Sequence, residues 1–178
     1  MDKFSQRKKD VLSKLDKSNK GSIDKDIKVT CEKINSRKDY FTTSSCSGRI
    51  VLISVDDENR KGNSKWLFTS HDLVDFKDIW PFIEGENVWF KQEPMILHVC
   101  CRDLQSAEDL WTLAKQAGYK RSGLHPGKYW FTVEIMGSEF IEAPMEGISE
   151  NYFKRLLAEA NKRMKRSLDR LEKLKGIL

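Results

Sequence analysis

Residues 87–101 read NVWFKQEPMILHVCC. Two runs of aromatic and aliphatic residues stand on either side of Pro94. Proline has no amide hydrogen to give to a ladder, so it separates two strands here or marks a bulge. In the second run side chains alternate between faces. Met95, Leu97, Val99 and Cys101 share one face, and Ile96, His98, Cys100 and Arg102 share the other. The first set is a core face; the second carries an imidazole and a guanidinium. At about 3.3 Å per residue His98 and Arg102 are roughly 13 Å apart. That is too far for a catalytic dyad and suits the two ends of an elongated ligand.

Outward from this stretch, β character continues on both sides. Towards the N-terminus, YFTTSS and RIVLISVD flank a small turn, CSG, at residues 46–48, and KWLFTS reads as a further strand after the loop ENRKGN. HDLVDFKDIWPF reads as a short helix stopped near Pro81. Towards the C-terminus, Ser106 with Asp109 resembles a capping box opening AEDLWTLAKQA, which Gly118 ends. YKRSGLHPG is a short strand or a loop. KYWFTVEI alternates, with Tyr129, Phe131, Val133 and Ile135 facing a core and Lys128, Trp130, Thr132 and Glu134 facing away; SEFIEAP reads as its hairpin partner.

Helices occupy the ends. Phe4, Val11, Leu12 and Leu15 mark a first one, and Ile27, Cys31 and Ile34 a second, capped by Ser22 or Asp24. Ser149 caps a long last helix. Its seam runs Phe153, Leu157, Ala160, Met164, Leu171, Leu174 and Leu178, with Ser167 in the missing position. Helices at the ends and strands in the middle imply an α+β fold with a central mixed, largely antiparallel sheet. The expectation is one domain over residues 1–178: a helical N-terminus at 1–36, a sheet-rich core at 37–147 and a C-terminal helix at 148–178.

The 178 residues carry a formal net charge of +5. Its placement says more than its size. Residues 1–20 hold seven Lys/Arg against three acids, and residues 150–178 nine against four, while 21–149 hold sixteen against twenty. Two basic ends are an electrostatic footprint suited to nucleic acid, or the solvated faces of two helices. The longest apolar run, Ile50–Ile53, is far too short to span a bilayer, and no secretory leader opens the chain, so a cytoplasmic protein without a membrane segment is expected. The four cysteines form no CxxC pair. Cys100 and Cys101 point to opposite faces of a strand, so neither a zinc site nor a disulfide framework is expected.

The common catalytic signatures are absent. No GxG loop follows a strand, GLHPGK is too short for a phosphate loop, and no GxSxG elbow occurs. Cys46 with His71 or His98 would make a nucleophile and base for a hydrolase or transferase.

Four segments then occur in order: TTSSCSGR (42–49), KWLFTSH (65–71), LHVCCR (97–102) and GYKRSG (118–123). Together they resemble the tRNA wybutosine-synthesising methyltransferases, the family of the third enzyme of the eukaryotic wybutosine pathway and its archaeal relatives. LDKSNKGSIDKDI (15–27) and PMEGISENY (144–152) extend the resemblance over nearly the whole chain. The absence of a long charged tail makes it similar to the archaeal type. LHPGKYW (124–130) departs from the family pattern and leaves Lys128 without an inherited role.

The resemblance implies a non-Rossmann, S-adenosylmethionine-dependent N-methyltransferase. Its substrate would be the 4-demethylwyosine-type tricyclic base beside the anticodon of phenylalanine tRNA, so the partner is a tRNA anticodon loop. The runner-up is a non-catalytic RNA-binding module with the same basic ends. The methyl donor is already activated, so positioning supplies much of the rate and no metal is required. His98 and then His71 are the candidate acceptors for the ring nitrogen's proton. Ser44, Ser45, Cys46, Gly48 and Arg49 are expected to hold the cofactor: small side chains let a ligand approach the backbone, amides of the turn can form an anion nest, and Arg49 can fork onto a carboxylate or an RNA phosphate. Ser122 and Gly123 are expected to make a second turn of the same kind. Trp66 and Arg102 are the expected substrate contacts, one by stacking and one as an anchor.

Overall fold

In the computed structural model, which describes residues 2–14, 23–55 and 64–178, Pro94 separates two strands that belong to different sheets. β1 (Tyr40–Cys46), β5 (Ile96–Cys101), β7 (Phe131–Met136) and β6 (Gly123–Pro126) form one four-stranded sheet in that order. β3 (Lys65–Ser70), β2 (Arg49–Ser54), β4 (Val88–Glu93) and β8 (Ile141–Pro144) form the other. Every pairing is antiparallel. The α+β class holds, with two sheets in place of the one expected. β1 and β2 flank the CSG turn without pairing to each other. SEFIEAP is not the hairpin partner of β7, because β7 is an interior strand whose two edges are taken by β5 and β6; β8 pairs with β4 instead.

The described residues divide into two compact units. The first draws on Met1–Ser47, Met95–Ser138 and Leu168–Leu178; the second on Gly48–Pro94 and Glu139–Ser167.

In the first unit Met95, just before β5, and the buried face of β5, Leu97, Val99 and Cys101, meet Val133 and Ile135 of β7. α2 (Lys25–Ser36) covers it with Ile27, Thr30, Cys31 and Ile34, a three-four spacing that puts all four on one stripe. α4 (Leu104–Gln116) adds Ala107, Leu110 and Ala114. Each large side chain so buried contributes roughly 1.5–3 kcal/mol. α4 opens one turn earlier than Ser106 and Asp109 suggest. Asp103 is its N-cap, accepting from the Ser106 amide at 2.8 Å, while Ser106 Oγ accepts from the Asp103 amide at 3.2 Å. Ser106 is thus the third helical residue of the box. Gly118, at φ +100°, takes the left-handed conformation that ends α4.

α1 (Lys3–Leu12) covers part of the opposite face of this sheet. Phe4 packs on Phe41 and on Trp130 at centroid distances of 5.3 and 5.8 Å. Trp130 therefore faces away from the main core yet stays covered. Tyr129, expected inside, is 69 % exposed, because it sits in the β6–β7 turn before the strand begins. Leu15 and Ser22, read as helix residues, and the loop ENRKGN lie outside the described residues.

In the second unit Ile50 and Leu52 of β2 and Phe90 of β4 pack on Phe153 and Leu157. α3 (Phe76–Ile79) is a single turn that tightens into a 3-10 turn, Trp80–Phe82, containing Pro81.

α5 (Glu150–Ile177) begins at Ser149, whose Oγ accepts from the Tyr152 amide at 3.3 Å. Its seam is buried from Phe153 to Leu174, Leu178 being partly buried just past the helix end, and it serves two cores. Phe153, Leu157, Ala160 and Met164 belong to the second unit's core; Leu171 and Leu174 belong to the first's. Ser167, buried and polar, is where the membership changes. No helix among the described residues is long and apolar enough to cross a membrane.

Candidate active site

In the first unit, strand register assembles a row. Ser44 of β1 stands opposite His98 of β5, His98 opposite Glu134 of β7, and Glu134 opposite Gly123 of β6. The row lies on the face away from the Leu97 and Val99 core. A bulge between Thr42 and Ser44 puts Ser44 in it: the extra residue shifts the alternation of β1 by one. Asn35 of α2 stabilises the bulge with two bonds to Thr42, from the Thr42 amide to Asn35 Oδ1 at 2.8 Å and from Asn35 Nδ2 to Thr42 Oγ1 at 3.0 Å. Cys46 lies opposite Ile96 on the same face as His98.

His98 Nε2 is 3.2 Å from Glu134 Oε2. The nitrogen is buried without a hydrogen-bond partner. The rest of the His98 ring is partly exposed, as is the Glu134 side chain, so an imidazole held beside a carboxylate is presented at this face of the sheet. At the far end of the row the imidazole of His125 lies over Gly123, so close that a Cβ on Gly123 would stand 2.7 Å from His125 Nε2.

Other expected residues of this unit are placed differently. Ser45 pairs with Leu97 on the core side, and its hydroxyl meets the Cys31 thiol. Ser122 is buried; its Oγ donates to the Tyr119 carbonyl at 2.8 Å and its own carbonyl accepts from Trp111 Nε1, also at 2.8 Å. Gly123 is a strand residue, not the pivot of a second turn: the Tyr119–Ser122 bonds close that turn one residue earlier. Arg102 is engaged within the chain. Its Nε donates to Asp39 at 2.7 Å and its Nη1 to Asp2 at 2.8 Å, and its guanidinium lies 4.6 Å above the Phe4 ring. It clamps α1 to the end of β5. The Ser5 amide and hydroxyl, followed by Arg102, hold the Asp2 carboxyl well below the usual carboxylate range.

The SCSGR turn does grip a carboxylate, one from its own chain. Asp24 Oδ2 accepts from the Ser47 amide at 3.0 Å and from the Ser47 hydroxyl at 3.3 Å. Asp24 is buried and directs its side chain here instead of onto the first turn of α2. Gly48 follows at φ +102°, the conformation only glycine adopts freely.

In the second unit Gly48, Arg49, Trp66 and His71 come together. His71 Nδ1 is 3.0 Å from the Gly48 carbonyl; a carbonyl only accepts, so Nδ1 carries the proton. Arg49 Nε donates to Glu93 at 2.5 Å, its register partner on β4. The guanidinium lies 4.6 Å from the centroid of the Trp66 ring, which is 47 % exposed. Its terminal nitrogens have no partner among the described residues. A guanidinium fixed at Nε and stacked on an indole presents that end to a carboxylate or phosphate. These residues fit the carboxylate of an S-adenosylmethionine or a nucleotide phosphate, and Trp66 fits a planar base.

Glu134, Glu93, Asp24 and His125 were given no site role in the sequence reading. Glu134 was legible as a residue on the outer face of an alternating strand, but its partner was not, because register is tertiary. Asp24 read as a cap, with no signal that Ser47 would claim it.

A sequence model of the family described as Methyltransferase TYW3 matches residues 6–178. A Danio rerio protein named tRNA wybutosine-synthesizing protein 3 homolog is 36 % identical over 188 residues, covering 99 % of this chain and 75 % of its own length. A Thermococcus sibiricus protein named tRNA(Phe) 7-((3-amino-3-carboxypropyl)-4-demethylwyosine(37)-N(4))-methyltransferase is 35 % identical, covering 95 % of this chain and 90 % of its own. A solved structure of a Pyrococcus horikoshii protein superposes with a TM-score of 0.88 at 33 % identity, covering 97 % of this chain and 94 % of that one. Over its two sheets, its basic helices and the motifs that hold Ser44, Arg49, Trp66 and His98, this chain belongs to the Methyltransferase TYW3 family.

Proposed function

We propose that this chain is a tRNA methyltransferase that transfers a methyl group from S-adenosylmethionine to the ring nitrogen of a 4-demethylwyosine-type base in the anticodon loop of phenylalanine tRNA. The observation that carries the reading is the family match across residues 6–178. The row Ser44–His98–Glu134–Gly123 supports it from the structure, since three of those residues come from the motifs that mark the family.

S-adenosylmethionine supplies, when bound, a methyl group already activated on a sulfonium, so the scheme needs no metal. The chain's residues have three tasks. Arg49 binds the amino-acid carboxylate or an RNA phosphate through its terminal nitrogens, with Glu93 and Trp66 holding its plane. Trp66 stacks on a planar base, and Gly48 leaves the backbone open to close approach. The His98 imidazole, with Glu134 beside its Nε2, takes the proton that leaves the ring nitrogen as the new C–N bond forms and the donor's C–S bond breaks. His71, its Nδ1 proton fixed on the Gly48 carbonyl, is the second candidate. The basic faces of α1 and α5 contact tRNA phosphates, and the protein acts in the cytoplasm.

The test is mass spectrometry of tRNA from cells lacking the gene. The demethyl precursor, lighter by one methyl, accumulates; normal methylated base in that strain overturns the assignment. Calorimetry with S-adenosylmethionine separates the enzyme from a pure RNA-binding module, which gives no heat.

A further inference from the structure

The β6–β7 turn presents a largely exposed aromatic ring, tilted against Trp130 at 6.0 Å between centroids. Tyr129 is 69 % exposed, more than any other large apolar or aromatic side chain among the described residues. Its support is firm. The Gly127 amide donates to the Trp130 carbonyl at 2.8 Å and closes the hairpin. A Cβ on Gly127 would stand 2.7 Å from that carbonyl oxygen, so the turn takes this tight path only with glycine there. Trp130 on one side is wedged edge-on against Phe4, and Pro126 on the other has a fixed φ. A ring on such a support loses little freedom when something stacks on it.

The sequence leading into the tip is cationic. From Lys115 to Trp130 the chain carries Lys115, Lys120, Arg121 and Lys128 and no acid. Lys115 is taken up over the Trp111 ring at 3.4 Å, whereas Lys120, Arg121 and Lys128 are exposed. The Lys128 ammonium is 5.2 Å from the Tyr129 ring centroid, on the residue next to it. An exposed ring beside a cation on a rigid tip is what an unpaired nucleotide needs: a flat face for the base and a positive charge for its phosphate. A paired base keeps its faces inside its own stack, and an acidic protein would want more apolar cover than proline and glycine offer.

We propose that the β6–β7 hairpin tip is a single-stranded RNA site in which Tyr129 stacks on an unpaired base and Lys128 contacts the adjoining phosphate. The proposal rests on the reading of tRNA as substrate, and adds a contact to it. The probe is an unmodified anticodon stem-loop RNA, titrated against the full-length chain by fluorescence anisotropy over a range of salt. Tyr129→Ala weakens binding about tenfold with the salt slope unchanged, because stacking and not charge is removed. Tyr129→Phe binds as the parent does. Lys128→Ala lowers the slope by about one. Parental affinity in Tyr129→Ala, or equal loss in Tyr129→Phe, overturns the platform while leaving the substrate reading intact. A parent chain that binds no RNA overturns both.

Discussion

His98 is the residue on which the proposed chemistry turns. Its Nε2 is dry, has no hydrogen bond and lies beside Glu134. Replacing it with glutamine keeps the size and a polar tip but removes the base. We expect kcat to fall about 10²–10⁴-fold, the usual worth of a general base, with KM for the RNA little changed. Equal kcat in steady-state assays would remove His98 from the mechanism. The cysteines make the opposite case. Burial pushes the Cys31 and Cys100 thiols up to about 11 and Cys101 up to about 12. Their folded values lie above the unfolded value of about 8.5. The stability they contribute is therefore complete below about pH 8.5 and is lost as the pH climbs towards 11–12. Urea melts should show midpoints dropping over that alkaline range, and less steeply in Cys101→Ser. A nucleophilic role for Cys46 is tested by Cys46→Ala, whose methyl transfer should persist.

At the scale of elements, α4 shows how a local signal is misplaced by one turn. The sequence offered Ser106 and Asp109 as a box; the chain uses Asp103 and Ser106. Both share the pattern of a short polar residue with a partner three positions on, and what decides is where β5 ends. Arg102 stays tied to Asp39, so the first residue free to turn into the helix is Asp103. Asp103→Ala should destabilise the protein by about 1 kcal/mol, read as a lower thermal midpoint, and Asp103→Asn, which still caps, by much less. The Ser106 amide, then its hydroxyl, lowers the Asp103 carboxyl below its ordinary value. Its contribution is then present above the unfolded value of about 3.9 and lost as the pH falls through the lower folded one. The gap between parent and Asp103→Ala should close in acid. The β6–β7 hairpin was half legible: the alternation of KYWFTVEI was visible, and the tight Gly127 turn that expels Tyr129 from the strand was not.

Across the whole molecule, α5 belongs to both units. One apolar seam supplies Leu157 to one core and Leu174 to the other. Leu157→Ala and Leu174→Ala should each destabilise by about 2–5 kcal/mol. As members of separate core clusters among the described residues, they should have effects that add within about 0.5 kcal/mol in denaturant unfolding of the double variant. A coupling well beyond that would mean the two cores unfold as one body.

The order of side chains along the chain determined the α+β class, the alternation of β5 and β7, the seam of α5 and the four motifs that mark the family, because periodicity and short motifs are local properties. Which strands lie side by side was decided in three dimensions. Pairing is a choice among distant edges, and nothing near Pro94 or the CSG turn states that the chain changes sheets there. For the same reason Glu134 beside His98, Glu93 beside Arg49 and Asp24 against Ser47 were invisible in the linear string: each pair spans more than twenty residues. The hydrogen-bond register of the folded sheets, and the burial that fixes it, brings them together.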